Sequence, residues 1–68
     1  MKENFANRLK ELRLNANLSQ QALAKFIGAT QKAIDFWEKG INEPKISYVI
    51  RLAIHFGVTT DYLLGLEN

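Results

Sequence analysis

The stretch Leu18-Ser19-Gln20-Gln21-Ala22-Leu23-Ala24-Lys25-Phe26-Ile27-Gly28-Ala29-Thr30-Gln31-Lys32-Ala33-Ile34-Asp35-Phe36-Trp37-Glu38-Lys39-Gly40 decides how this chain is read. Ser19 is a good N-cap, because its side-chain oxygen can accept from the unpaired N–H groups of a helix's first turn. The helix it opens carries Ala22, Leu23 and Phe26 as an apolar stripe and stops at Gly28. Thr30 caps a further helix that runs through Glu38, and Gly40 sits where a C-terminal glycine belongs.

The two helices are joined by about three residues around Gly28. Helices of roughly eight residues joined so tightly cannot lie antiparallel and must cross at a large angle, which is the helix-turn-helix arrangement, here about residues 19–38. Outward from it, the same signals continue. Phe5, Leu9, Leu12 and Ala16 recur at spacings of four, three and four, one stripe of a first helix. Beyond Pro44, which breaks the chain, a fourth helix is expected from Ile46 to Phe56, ending at Gly57. Thr59 caps a short fifth helix through Leu64, closed by Gly65. No β-branched alternation is present, so the fold expected is all-α, five helices forming one domain over residues 1–68.

Composition narrows the function. The chain has 68 residues, 47% hydrophobic and 24% charged, the balance of a soluble globule. With no cysteine and one histidine it has neither a disulfide framework nor a zinc site of the Cys/His kind, and no cofactor is expected. No apolar run approaches the roughly 18 residues of a membrane span, and Met1-Lys2-Glu3-Asn4 does not read as a signal peptide. A cytoplasmic protein without membrane contact is the expectation. Nine basic against seven acidic residues permit a polyanionic partner without demanding one.

Stepping about 100° per residue along the third helix puts Ala33 and Trp37 beside Ile34 on an inward arc. Gln31, Lys32, Asp35 and Phe36 fall together on the outward arc. An ordinary solvated face is the bland reading, and two features oppose it: Phe36 is large and apolar, and Gln31 and Lys32 occupy the first turn. That turn is the part of a helix-turn-helix that enters the major groove. Glutamine pairs bidentately with adenine, lysine donates to guanine, and an apolar ring suits a thymine methyl. Glu38 falls on the inward side, where an unpaired carboxylate is costly, and Arg13 on the first helix is its candidate partner. Asp35 either pairs with Lys39 four residues on or accepts from a cytosine N4.

Together, Leu18-Ser19-Gln20-Gln21-Ala22-Leu23-Ala24, Ile27-Gly28, Ile34, Trp37-Glu38-Lys39-Gly40 and Pro44 resemble the repressor/Cro-type helix-turn-helix family of phage and bacterial regulators, the lambda repressor-like fold. Leu52-Ala53, Phe56-Gly57-Val58 and Asp61-Tyr62-Leu63-Leu64-Gly65 extend the likeness over nearly the whole chain. The resemblance implies a compact five-helix bundle and sequence-specific binding of double-stranded DNA, usually as a dimer on a palindrome. It implies base reading by Gln31, Lys32, Asp35 and Phe36, phosphate contacts from Gln20, Thr30, Lys39 and Lys45, and an internal Arg13–Glu38 ion pair. Phe36 is larger and less polar than is usual there, and Glu43 puts an acid in a loop that is often basic.

On the fourth helix Ile46, Val49, Ile50, Leu52, Ala53, Ile54 and Phe56 fill an arc of about 200°, where one packed side needs little more than about 100°. The Ile50/Ile54 edge is surplus, which points to a partner surface shared with Tyr62 and Leu66, most simply a homodimer. The competing reading is that the last helix, through Tyr62, Leu63 and Leu66, folds back over it. An enzyme is not expected: His55 has no serine or aspartate spaced to work with it, and no glycine-rich phosphate loop or small-molecule site is evident. The expectation is a DNA-binding transcriptional regulator, a repressor acting as a dimer on a palindromic operator. An interaction module, such as an antitoxin, is the alternative.

Overall fold

The computed structural model describes residues 2–67. It contains α1 (Lys2–Asn15), α2 (Gln20–Ile27), α3 (Gln31–Glu38), α4 (Ile46–Phe56) and α5 (Thr60–Leu63), with no strand among the described residues. The caps sit where their chemistry places them. Ser19 Oγ accepts from Ala22 N at 3.0 Å, Thr30 Oγ1 from Ala33 N at 3.1 Å and Thr59 Oγ1 from Tyr62 N at 2.9 Å. Gly28 closes α2 at φ 72°, a left-handed conformation that a residue with a Cβ adopts at a cost.

The core is a single cluster drawn from every helix. Phe5 and Leu9 of α1, Leu23 and Ile27 of α2, Ile34 and Trp37 of α3, Val49 and Leu52 of α4 and Leu63 of α5 are all buried. α1 packs on α3 and α5, and α2 packs on α3 and α4, so the α2–α3 pair is gripped from both sides. Packing rather than propensity holds helices this short.

Two expected core positions are corrected. Ala16 is exposed, because α1 ends at Asn15. There Asn17 turns left-handed at φ 58° and Leu18 N donates to Arg13 O at 3.1 Å. Phe26 is 64% exposed, and α2 buries Leu23, Ala24 and Ile27 instead. Leu23 has apolar neighbours on both sides of its helix, so two stripes fit the sequence equally. The one that meets both α3 and α4 is the one buried. Phe26 stacks on His55 of α4, ring centroids 5.1 Å apart, and His55 meets Phe56 edge-on.

Candidate nucleic-acid interface

α3 divides its residues by side. Ile34 and Trp37 point into the core, and Trp37 lies 5.4 Å from the Tyr48 ring of α4. Gln31 and Lys32 are exposed in the first turn, directly after the Thr30 cap. Asp35 and Phe36 are half-buried one turn further on. Lys32 Nζ lies 5.6 Å from the centroid of the Phe36 ring, within cation–π range.

Under that outer face lies a connected polar network. Arg13 Nε and Nη2 donate to the two Glu38 carboxylate oxygens at 2.6 and 2.9 Å, a bidentate pair almost sealed from water. Arg13 Nη1 also donates to Leu18 O at 2.8 Å, tying α1 to the entry of α2. Its hydrogen bonds to Glu38 and the nearby negative charge hold the Arg13 guanidinium above its already high ordinary pKa, so it stays charged. Gln20 Nε2 is 3.2 Å from Asp35 Oδ1 and 3.2 Å from Glu38 Oε1, so the first residue of α2 braces α3. Asp35 Oδ2 pairs with Lys39 Nζ at 2.9 Å. Hydrogen bonds from Lys39 and then Gln20 hold the Asp35 carboxyl below the usual carboxylate range.

The structure therefore gathers Gln20, Gln31, Lys32, Asp35, Phe36 and Lys39 onto or beside one face of α3. Lys45 is exposed at the N-cap of α4, across the 39–45 loop that also carries Glu43. Thr30 uses its hydroxyl as a helix cap and is exposed.

Two arginines that hold this frame were missed by sequence reasoning. Arg51 Nη1 donates to Ile27 O at 3.2 Å, placing a cation on the C-terminal carbonyls of α2 where the helix-turn-helix bends. A Cβ on Gly28 would come within 3.4 Å of that same nitrogen. Arg8 Nη1 donates to Tyr62 O at 2.5 Å and Glu67 O at 2.6 Å, with its guanidinium 4.3 Å from the Tyr62 ring centroid. Periodicity could have placed neither, because all three bonds go to backbone carbonyls more than twenty positions away.

The row Ile46, Ile50 and Ile54 runs along the outer flank of α4, 66%, 45% and 76% exposed. α5 packs on α4 without covering this row, which corrects the reading in which it folds back over it. Leu66 is exposed too, whereas Tyr62 is half-buried under Arg8. Beside the row, Phe5, Pro44, Ile46, Val49 and Leu64, with Glu43, line an open pocket of about 190 Å³. That is below the about 300–1,000 Å³ of a small-molecule site. No helix among the described residues is long and apolar enough to cross a membrane.

A short capped pair of crossed helices, braced from below and free on the outer face of the second, defines a helix-turn-helix protein. The family model described as Helix-turn-helix (HTH_3) matches residues 9–63, and the chain belongs to that family, the lambda repressor-like one. Among curated relatives it is 38% identical over 60 residues to an SPbeta prophage-derived HTH-type transcriptional regulator, YonR, of Bacillus subtilis, covering 88% of this chain and 56% of that protein. It is 33% identical over 54 residues to the cryptic phage CTXphi transcriptional repressor RstR of Vibrio cholerae, covering 79% of this chain and 49% of that one. The chain thus spans about half the length of these relatives. Among solved structures, the P22 c2 repressor protein in complex with synthetic operator 9T superposes with a TM-score of 0.87 at 28% identity, covering 93% of this chain and 96% of that chain.

Proposed function

We propose that this chain is the DNA-binding part of a cytoplasmic transcriptional regulator, reading double-stranded DNA with α3 in the major groove. The observation that carries the reading is the division of α3. Its inner side is locked by the core and by the Arg13–Glu38–Gln20 network, while Gln31 and Lys32 are exposed in its first turn. The operator-bound P22 c2 repressor has the same fold, and RstR is itself named a repressor. In this reading Gln31, Lys32, Asp35 and Phe36 contact bases, and Gln20, Thr30, Lys39 and Lys45 contact phosphates. No catalytic role is assigned to any residue.

Repression by a homodimer fits best. Two copies joined through Ile50 and Ile54, with Leu66 and the edge of Tyr62 adjoining, would set two α3 helices in successive major grooves about 34 Å apart and block polymerase. An interaction module such as an antitoxin is the second reading, favoured by the exposed Phe26 and isoleucine row.

Paired substitutions test the DNA reading. Gln31→Ala should weaken binding to the preferred sequence by about 1–3 kcal/mol and relax its preference. Lys45→Ala should weaken binding to all sequences alike and lower the salt slope by about one. If both variants bind every duplex as the parent does, α3 and the loop after it do not face DNA.

A further inference from the structure

We propose that Lys32 and Phe36 act as one reading unit, recognising in each half-site a guanine and a thymine 5-methyl group within about two base pairs of each other. This rests on α3 lying in the major groove.

The chemistry of each side chain limits what it can read. Phe36 has neither donor nor acceptor, and the one apolar feature a base pair presents in the major groove is the thymine C5 methyl. Lys32 carries donors and no acceptor, and guanine offers two acceptors there, N7 and O6, with no donor beside them. Asp35 lies between them in sequence and looks like the natural reader of cytosine N4. However, its Oδ2 is held by Lys39 at 2.9 Å and its Oδ1 by Gln20 at 3.2 Å. Each oxygen keeps a further lone pair, so a base contact by Asp35 would be additional to these bonds and is not part of the unit.

Geometry joins the other two. The Lys32 ammonium sits 5.6 Å from the Phe36 ring centroid, so the ring holds a long side chain that would otherwise sample many rotamers. Less freedom is then lost on binding than for a free lysine. Residues four apart on a helix are displaced by about 6 Å along its axis. Base pairs are spaced by about 3.4 Å, so contacts from the two side chains fall one to two pairs apart.

The test uses the preferred duplex obtained by selection from random DNA. Each thymine is replaced in turn by deoxyuridine, which removes only the methyl group, and each guanine by 7-deazaguanine, which removes only N7. One deoxyuridine per half-site should weaken binding of the unaltered protein about fourfold, the value of one methyl group at about 0.8 kcal/mol and 1.4 kcal/mol per tenfold. Phe36→Ala should be indifferent to that replacement. The sensitive guanine should lie within about two pairs of it, and Lys32→Ala should be indifferent there. The proposal is overturned if no deoxyuridine changes binding by the unaltered protein, if Phe36→Ala keeps the sensitivity, or if the sensitive bases lie further apart. The deoxyuridine series needs no variant, so a misfolded Phe36→Ala does not spoil it. Selection that yields no preferred sequence would overturn the DNA reading itself, and this unit with it. A preferred sequence indifferent to deoxyuridine overturns the unit alone.

Discussion

Between α1 and α3 the chain buries charge and gives every group a partner of its own; along the outer flank of α4 it leaves apolar side chains in water. Among the described residues no buried side-chain nitrogen or oxygen lacks a hydrogen bond, and the Arg13–Glu38 pair sits at the centre of that economy. Ile54 is 76% exposed, in a chain so small that apolar surface is its main source of stability. The first region is finished within the chain and serves to hold α3 rigid. The second is left open to solvent, and it is the surface at which the proposed homodimer would join. A recognition helix needs the first kind of surface beneath it, and a symmetric assembly needs the second kind beside it.

The largest expected effect breaks the finished region. Glu38→Ala leaves the Arg13 guanidinium buried without its carboxylate and should destabilise the fold by about 3–5 kcal/mol in urea unfolding. Replacing both partners by apolar residues, Arg13→Met with Glu38→Leu, should recover most of that loss, because no charge is then stranded. A single variant as stable as the parent would mean that the pair does not hold α1 against α3.

Ile54→Lys sharpens the other half of the comparison. Fold stability should change by no more than about 0.5 kcal/mol, as at an exposed site. Self-association measured by sedimentation should weaken by at least about 1.5–3 kcal/mol, the value of burying an isoleucine. An unaltered protein that is monomeric both free and on DNA removes the homodimer and leaves the flank to another partner.

The smallest effect concerns pH. The Asp35 carboxyl is held below its ordinary range, so its contribution to stability is complete above the ordinary aspartate pKa of about 3.9. That contribution is lost as pH falls from there through the lowered folded-state value. Asp35→Asn should therefore flatten the acid limb of the stability profile below about pH 4 and leave its shape near neutrality unchanged. An unaltered acid limb would show that the Lys39 and Gln20 contacts do not persist in solution.

Much of this was legible in the residues. Ser19, Thr30 and Thr59 declared three helix starts, because a cap acts locally. Glu38 declared a buried partner, because its angular position beside Ile34 contradicted its charge. Gln31 and Lys32 could be placed on the free arc of α3 for the same angular reason. Phe26 could not be placed, since Leu23 is flanked by apolar residues on both sides and only the packing of α3 and α4 chooses between the stripes. The Arg8 and Arg51 bonds were hidden because a backbone carbonyl leaves no mark on composition. Gln20 reached Asp35 and Glu38 through the crossing angle of α2 and α3, which spacing bounds without fixing.

The most direct measurement is selection of bound duplexes from a random pool at about 150 mM salt, where nonspecific phosphate attraction is weak. The account predicts enrichment of a palindrome whose half-sites lie one helical turn apart, about 10 base pairs centre to centre. A pool that stays unenriched, with weak binding that falls steeply as salt rises, would contradict it.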